Sequence, residues 1–331
     1  MAERLTQAEP WFSFYAHMNP SELRAAWARG ENLMALLRKQ HGSHINTQES
    51  IEVSYDLRAG IDIECMEDRA HATYVRDSAG EIARLLQQYG RPSSLLEAGV
   101  GEATTLTYVL KSYGREPLNV HGFDLCWSRI LRAKQWLAQE GVTDVSLCTG
   151  SLTSIPFADN SFDVVYTNES IGENAEHEAT ILTELYRVTS RFLILLEPAY
   201  ELAPPEAQAR MLQHGYCRDL AGHARRLGMK VLEHKLIPFV ENPLNPIGSI
   251  VIEKDSGASP VTPSYRCPKY HAPLVKHDTV YYSSDSFMVY PIVADIPCLR
   301  AENSIIATLY GSDIASGKAL PIQDLQRKSR A

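Results

Sequence analysis

A chain of 331 residues with 44% hydrophobic and 22% charged residues exceeds one minimal domain and has the composition of a folded globular protein, which excludes disordered and fibrous classes. A formal net charge of −8 argues against a long phosphate backbone as main partner, because such partners are met by clustered basic groups and the one dense run is Arg327-Lys328-Ser329-Arg330. Met1-Ala2-Glu3-Arg4 begins no apolar signal core and no apolar run of membrane-spanning length follows, so a cytoplasmic location is expected, with no membrane partner.

The six cysteines, Cys65, Cys126, Cys148, Cys217, Cys267 and Cys298, include no C-x-x-C pair. They are expected as reduced, mostly buried core residues.

From Asn19 to about Gly42, Leu23, Trp27, Leu33, Leu36 and Leu37 recur at near-helical spacing, interrupted by Gly30. The spacing predicts one or two N-terminal cap helices. A capping box at Ser78-Ala79-Gly80-Glu81 precedes an apolar stripe of Ile82, Leu85, Leu86 and Tyr89, and the pattern stops at Gly90. Ser94 to Glu97 then reads as a buried strand, Ala98-Gly99-Val100-Gly101 as a glycine turn, and the stretch from Thr104 to Tyr113 as a helix.

The form repeats. Strands are expected at Asn119–Asp124, Val145–Cys148, Phe162–Thr167 and Phe192–Leu196, with helices from Ser128 to Gln139 and from about Ala175 to Val188. Such alternation implies a parallel sheet with right-handed crossovers. A long helical stretch from about Glu206 to Leu227 follows, then two strands with no helix between them, Lys230–Val240 and Ser249–Glu253, joined by Asn242-Pro243-Leu244-Asn245-Pro246. That loop suits a hairpin. Asp255-Ser256-Gly257-Ala258-Ser259-Pro260 marks a linker.

Leu95-Leu96-Glu97-Ala98-Gly99-Val100-Gly101 resembles the first motif of class I S-adenosylmethionine methyltransferases. Glycines let the backbone approach a ligand, and the helix start beyond offers unpaired N–H groups. Gly122-Phe123-Asp124-Leu125-Cys126 looks like the second motif, whose strand-end acid accepts both ribose hydroxyls. A dinucleotide-binding fold would use an acid similarly. The run Gly150-Ser151-Leu152 through Ile155-Pro156-Phe157 and Ser161-Phe162-Asp163-Val164-Val165 resembles the methyltransferase segment that contacts adenine and leads into the fourth strand. Dehydrogenases have no counterpart to it. Ser151 stands where the family has an acid, which weakens the amino-group contact and leaves the Leu152 backbone. With Glu197-Pro198 and the terminal hairpin, the resemblance extends over about Leu95 to Glu253.

The resemblance implies S-adenosylmethionine as cofactor and a doubly wound, mostly parallel seven-stranded α/β sheet with N-terminal cap helices and a small C-terminal β-rich module. Expected cofactor residues are Glu97, Gly99, Gly101, Asp124, Leu125, Ser151, Leu152 and Asn168, with Arg69 and Tyr74 placed to clasp a carboxylate. Acceptor-side residues fall after the fourth and fifth strands, at Asn168, Glu169, Ser170, Glu173, His177, Glu197 and Tyr200. Catalytic candidates are His177, Glu169 and Glu173. His177 is the candidate base because an imidazole can exchange protons near neutral pH, and Glu173 and His177, four apart, would share one helix face.

Arg266-Cys267-Pro268-Lys269-Tyr270-His271 and Tyr290-Pro291-Ile292-Val293-Ala294-Asp295-Ile296-Pro297 resemble a short zinc-ribbon family that includes the activator subunit of tRNA and protein methyltransferases. Tyr270 replaces the second cysteine of the knuckle and no second pair precedes Tyr290. Cys267, His271, His277 and Cys298 make at most an irregular set, so no metal site is expected. The module is expected instead to dock Phe287, Val289, Tyr290, Ile292 and Ile296 on the main domain or on a second subunit, leaving a homodimer open.

The implied organisation is a cap over residues 1–77, a cofactor-binding domain over 78–254, a linker over 255–264, the ribbon-like module over 265–310 and a tail over 311–331. The leading expectation is O- or N-methylation of a small molecule, such as a sugar or biosynthetic precursor, with nucleic acid disfavoured as a partner. Methylation of tRNA or protein, and a non-catalytic cofactor-binding or activator protein, stay open beside it. A nicotinamide dehydrogenase is disfavoured because Thr104 stands where a third glycine would be and no Tyr-x-x-x-Lys pair is recognisable.

Overall fold

A computed structural model describes residues 20–89, 92–114, 118–255 and 261–311. The Arg327–Arg330 run, the N-terminal residues before Pro20, Gly90, linker residues 256–260 and most of the expected tail lie outside the described residues.

Seven strands form one sheet: β1 (Ser94–Ala98), β2 (Asn119–Asp124), β3 (Val145–Thr149), β4 (Phe162–Asn168), β5 (Thr189–Pro198), β6 (Lys230–Leu236) and β7 (Ile247–Glu253). Their order is β3-β2-β1-β4-β5-β7-β6. β1 to β5 run parallel, while β7 is antiparallel to both β5 and β6. The order reverses between β1 and β4, and at such a switch point the strand ends splay and leave a crevice.

Side chains of the central strands alternate between two cores. Leu95, Val164 and Ile194 face α5 (Arg69–Gln88), α6 (Thr104–Tyr113) and α7 (Trp127–Gln139), packing on Leu85, Leu106 and Ile130. Leu96, Val165 and Leu193 face α8 (Glu178–Val188) and α10 (Leu220–Arg226), packing on Leu182 and Ala221. Period-two alternation with both faces covered is what a parallel sheet requires.

Among the described residues, four helices precede the one that leads into β1: α1 (Pro20–Ala28), α2 (Leu33–His41), α3 (Gln48–Asp56) and α4 (Ile61–Cys65). Gly30 separates the first two, and Leu23, Ala26, Leu33 and Leu37 make a small core of their own. α3 and α4 are additions to the sequence reading. The helix expected to open at Ser78 starts at Arg69, capped by the Asp68 carboxylate, which accepts from Ala70 N and His71 N at 2.9 Å each. Its buried stripe continues through Ala72, Val75 and Ala79, so Ser78 lies mid-helix and residues 77 and 78 share one element. The helical stretch expected over about Glu206–Leu227 consists of two helices, α9 (Pro205–His214) and α10, because Gly215 takes φ 70° and ends the first.

The C-terminal residues fold into a small antiparallel sheet. Cys298 pairs with Thr149 at the outer edge of β3, and Tyr265 pairs with Phe157. Cys267, Met288, Tyr290 and Leu299 enter the same core as α8. Of the residues expected to dock, Val289, Tyr290 and Ile296 are buried, whereas Phe287 is 45% exposed at a backbone φ of 55°. The Cys267 thiol lies 3.2 Å from the Tyr290 hydroxyl.

Candidate functional site

β1 ends in Glu97-Ala98 and the chain turns at Gly99 (φ 80°) and Gly101 (φ 55°) before α6. The turn is pinned by Gly99 N and Val100 N, both donating to Phe123 O at 2.9 Å. A Cβ on Gly99 would overlap Ser170 Cβ from the loop after β4, and one on Gly101 would meet the Arg129 guanidinium. Glycine is therefore required by a close approach as well as by the left-handed φ.

Asp124 stands at the end of β2. Its Oδ2 accepts from Gly101 N at 3.0 Å and its Oδ1 from Cys126 N at 2.9 Å. Each oxygen keeps a lone pair for a further donor, so the carboxylate is pre-oriented toward a diol. The Arg129 guanidinium spans the turn, pairing with Asp62, lying 3.8 Å from Asp124 and packing 5.1 Å from the Tyr55 ring centroid.

These groups line a cavity of about 280 Å³ at the switch point. α3 and the residues leading into α4 border it through contacts distant in sequence. Gln48 donates to Ser151 Oγ (2.9 Å) and Thr153 Oγ1 (2.6 Å), Tyr55 to Glu173 (2.6 Å), and Ser128 N to Asp56 (3.1 Å). Buried Glu102 accepts from Gly60 N and Ile63 N, and Glu52 pairs with Arg300, which follows the Ile296–Pro297 strand of the small sheet.

Acidic side chains dominate the inner wall. Glu97, 2% exposed, accepts from the Tyr166 hydroxyl at 2.7 Å; burial pushes its carboxyl up to about 8. Glu169, at φ 52°, accepts from the Tyr74 hydroxyl at 2.6 Å. Burial raises it to about 7, with Glu241 and Glu173 adding like charge. Burial also raises Glu173. At the mouth, His71 and Glu241 meet at 2.6 Å.

The cavity wall includes Tyr74, Glu97, Gly99, Gly101, Asp124, Leu125, Ser151, Leu152, Asn168, Glu169 and Glu173. Four expected residues lie elsewhere: Arg69, His177, Glu197 and Tyr200, the last in the short turn after β5, where it packs against Ala203, Ala207 and Met211. Arg69 is the exposed first residue of α5, and its side chain leaves the wall to Tyr74, one turn on. His177 is the N-cap of α8 and does not line the cavity. The helix starts only at Glu178, so Glu173 and His177 share no helical face. Glu197 sits behind the wall, accepting from Ser170 N and Ile171 N at 3.1 Å each, and burial lifts it to about 8. It shapes the loop that carries Glu173.

Residues the sequence reading passed over are Gln48, Tyr55, Arg58, Asp62, Glu102, Arg129 and Glu241. Of these only Arg129 carried a signal, one turn inside a helix that follows the strand-end acid.

Residues 95–191 match the family described as "Methyltransferase domain". A probable tocopherol O-methyltransferase, chloroplastic, from Oryza sativa subsp. japonica is 29% identical over 126 residues, which is 35% of this chain and 34% of that protein. Norajmaline N-methyltransferase from Rauvolfia serpentina is 26% identical over 122 residues, 36% of this chain and 40% of that one. The match thus spans well under half the length of these curated relatives. Among solved structures, a SAM-dependent methyltransferase from Aquifex aeolicus aligns with TM-score 0.39 at 18% identity, covering 51% of this chain and 87% of that one. Magnesium protoporphyrin IX methyltransferase from Synechocystis, solved with bound SAH, aligns with TM-score 0.44 at 13% identity, covering 54% and 83%. Residues 95–191 are thus similar to a methyltransferase domain.

Proposed function

We propose that the protein transfers a methyl group from S-adenosylmethionine to an oxygen or nitrogen of a small-molecule acceptor. The observation that carries this reading is a single cavity in which Glu97, Gly99, Asp124, Ser151 and Glu169, from four separate segments, converge at the end of a parallel sheet. The residues suit the cofactor: the Gly99 turn admits a ligand no side chain could share, and Asp124 offers two pre-oriented acceptors to a ribose diol. Glu97 suits the ammonium group of the methionine part, and Leu152 with Gln48-tethered Ser151 suits the adenine. When bound, S-adenosylmethionine supplies an electrophilic methyl on a sulfonium.

The chain's own part is alignment, exclusion of water and proton removal. The cap contacts to Ser151, Glu173, Ser128 and Glu102 close the cavity. Glu169 and Glu173 take the proton roles that His177 does not reach. As the acceptor atom bonds to the methyl carbon, its proton passes to one of these carboxylates. In this reading residues 1–77 act as the lid, and residues 265–310 act as a brace that reaches it through Arg300.

Titration calorimetry with S-adenosylhomocysteine tests the reading. Asp124→Ala removes one or two charge-assisted hydrogen bonds of about 1.5–3 kcal/mol each, so affinity should drop at least about tenfold. Unchanged affinity in that variant, or no binding by the parent chain, would overturn the assignment.

A further inference from the structure

A second cavity, of about 310 Å³, lies between α1, α2 and α9 and shares Tyr55, Arg58 and Glu173 with the first. The Tyr55–Glu173 hydrogen bond therefore stands where the two meet. Their chemistries differ. The first cavity sets Arg58 and Arg129 among seven carboxylates, whereas the second sets Arg58 and Arg210 beside Glu31 and Glu173 on a wall that includes Trp27, Met34 and Tyr216.

The Arg210 guanidinium lies beside the Tyr216 hydroxyl, and its buried Nη1 has no hydrogen-bond partner among the described residues. A buried guanidinium N–H is stable when it holds an acceptor, and a planar carboxylate matches its fork. The surroundings reinforce the sign. Burial, Arg210 and Arg38 all push the His214 imidazole toward its neutral form, as a local positive field does. Arg38 is already held by Asn46 and by the carbonyls of Gln213 and His214. Glu31, also on this wall, is paired with Arg29 at 2.6 Å. With Glu31 paired to Arg29 and Glu173 accepting from Tyr55, Arg58 and Arg210 are left on this wall to select for an anion.

We infer that this second cavity binds the methyl acceptor and that the acceptor is a small organic acid, its apolar body on Trp27 and Tyr216 and its carboxylate on Arg210 and Arg58. Its nucleophilic O–H or N–H then points to Glu173, at the boundary with the cofactor cavity. The new bond joins that oxygen or nitrogen to the methyl carbon, the C–S bond breaks with its electrons returning to sulfur, and the acceptor's proton goes to the Glu173 carboxylate. The inference rests on the methyltransferase reading.

The test uses the full chain saturated with S-adenosylhomocysteine, probed by ligand-observed saturation-transfer NMR and calorimetry. The probes are 4-hydroxybenzoate, 4-hydroxyphenylacetate and indole-3-acetate, each beside its primary amide. At least one acid should bind about tenfold tighter than its amide, and Arg210→Gln should abolish that preference while S-adenosylhomocysteine affinity stays within about twofold. Binding by none of the acids, or an acid preference that survives Arg210→Gln, overturns the inference. Failure of the parent chain to bind S-adenosylhomocysteine overturns the methyltransferase reading instead, and the acid and amide series is then compared without it, so that the two failures are separated.

Discussion

Gly99→Ala should damage the fold and the cofactor site together, by two contributions that a second substitution can pull apart. At φ 80° an alanine is in the left-handed region, which costs about 1 kcal/mol. The new methyl would overlap Ser170 Cβ and lie 2.8 Å from Ser170 Oγ. Ser170 has little freedom to retreat, because its Oγ donates to Ala98 O at 2.8 Å and its N–H to Glu197 at 3.1 Å. Overpacking of this kind adds about 1–3 kcal/mol, for a total near 2–4 kcal/mol. Ser170→Gly alone deletes one hydrogen bond, about 1 kcal/mol. In the double variant the overlap is gone and only the backbone strain and the lost bond remain, about 2 kcal/mol, against about 3–5 kcal/mol for the sum of the singles. The two sites should therefore couple by about 1–3 kcal/mol, measured by urea unfolding followed by circular dichroism and by fluorescence. Additivity within about 0.5 kcal/mol would refute the contact argument, and a Gly99→Ala chain as stable as the parent would refute the strain argument as well.

Buried Glu97 and Glu197 hold their protons to about 8, and Glu169 to about 7, against 4.5 for the ordinary group. Between those values the folded chain binds more protons than the unfolded one, so ligand-free stability should fall as pH rises through that window, and Glu97→Gln should flatten the slope; thermal melts from about pH 5 to about pH 9 that show rising stability would contradict this. Arg300→Met should leave Glu52 without its ion-pair partner and loosen α3, speeding amide exchange over residues 48–56 about tenfold, equivalent to roughly 1.4 kcal/mol, while β1 stays protected. Equal exchange in parent and variant would remove the C-terminal residues from any role in holding the cap.

The parallel sheet was readable because its signals are local. Ser94–Ala98, Phe162–Asn168 and Thr189–Pro198 are short, apolar and separated by helical stretches, and only a parallel order satisfies such alternation. α3 and α4 carried no such signal. QESIEVSYD and IDIEC are short and mixed in polarity, and Gln48, Tyr55 and Gly60 are tied to Ser151, Glu173 and Glu102, partners 42 to 118 residues away. At Ser78 two local signals competed. A Ser-x-x-Glu box can cap a helix, but here the apolar stripe already ran from Ala72, and Asp68 caught the first free N–H groups.

The same distinction governs the site. Residues at strand ends, Glu97, Asp124 and Asn168, fell where the motifs put them because a parallel sheet delivers its C-terminal ends to one crevice regardless of distance along the chain. Helical spacing puts Glu173 and His177 on one face only inside a helix. Glu169 and Glu176 both take positive φ, and the Asn174 side chain donates to Ser170 O and Ile171 O, so the segment coils back on itself until Glu178. That coil turns Glu173 inward against Tyr55 and leaves the imidazole behind it at the start of α8. Side-chain direction in such a turn depends on each φ in succession and on Glu197 gripping Ser170 N and Ile171 N from β5. A spacing rule contains neither, so the carboxylate four residues before the histidine, and not the histidine, reaches the cavity.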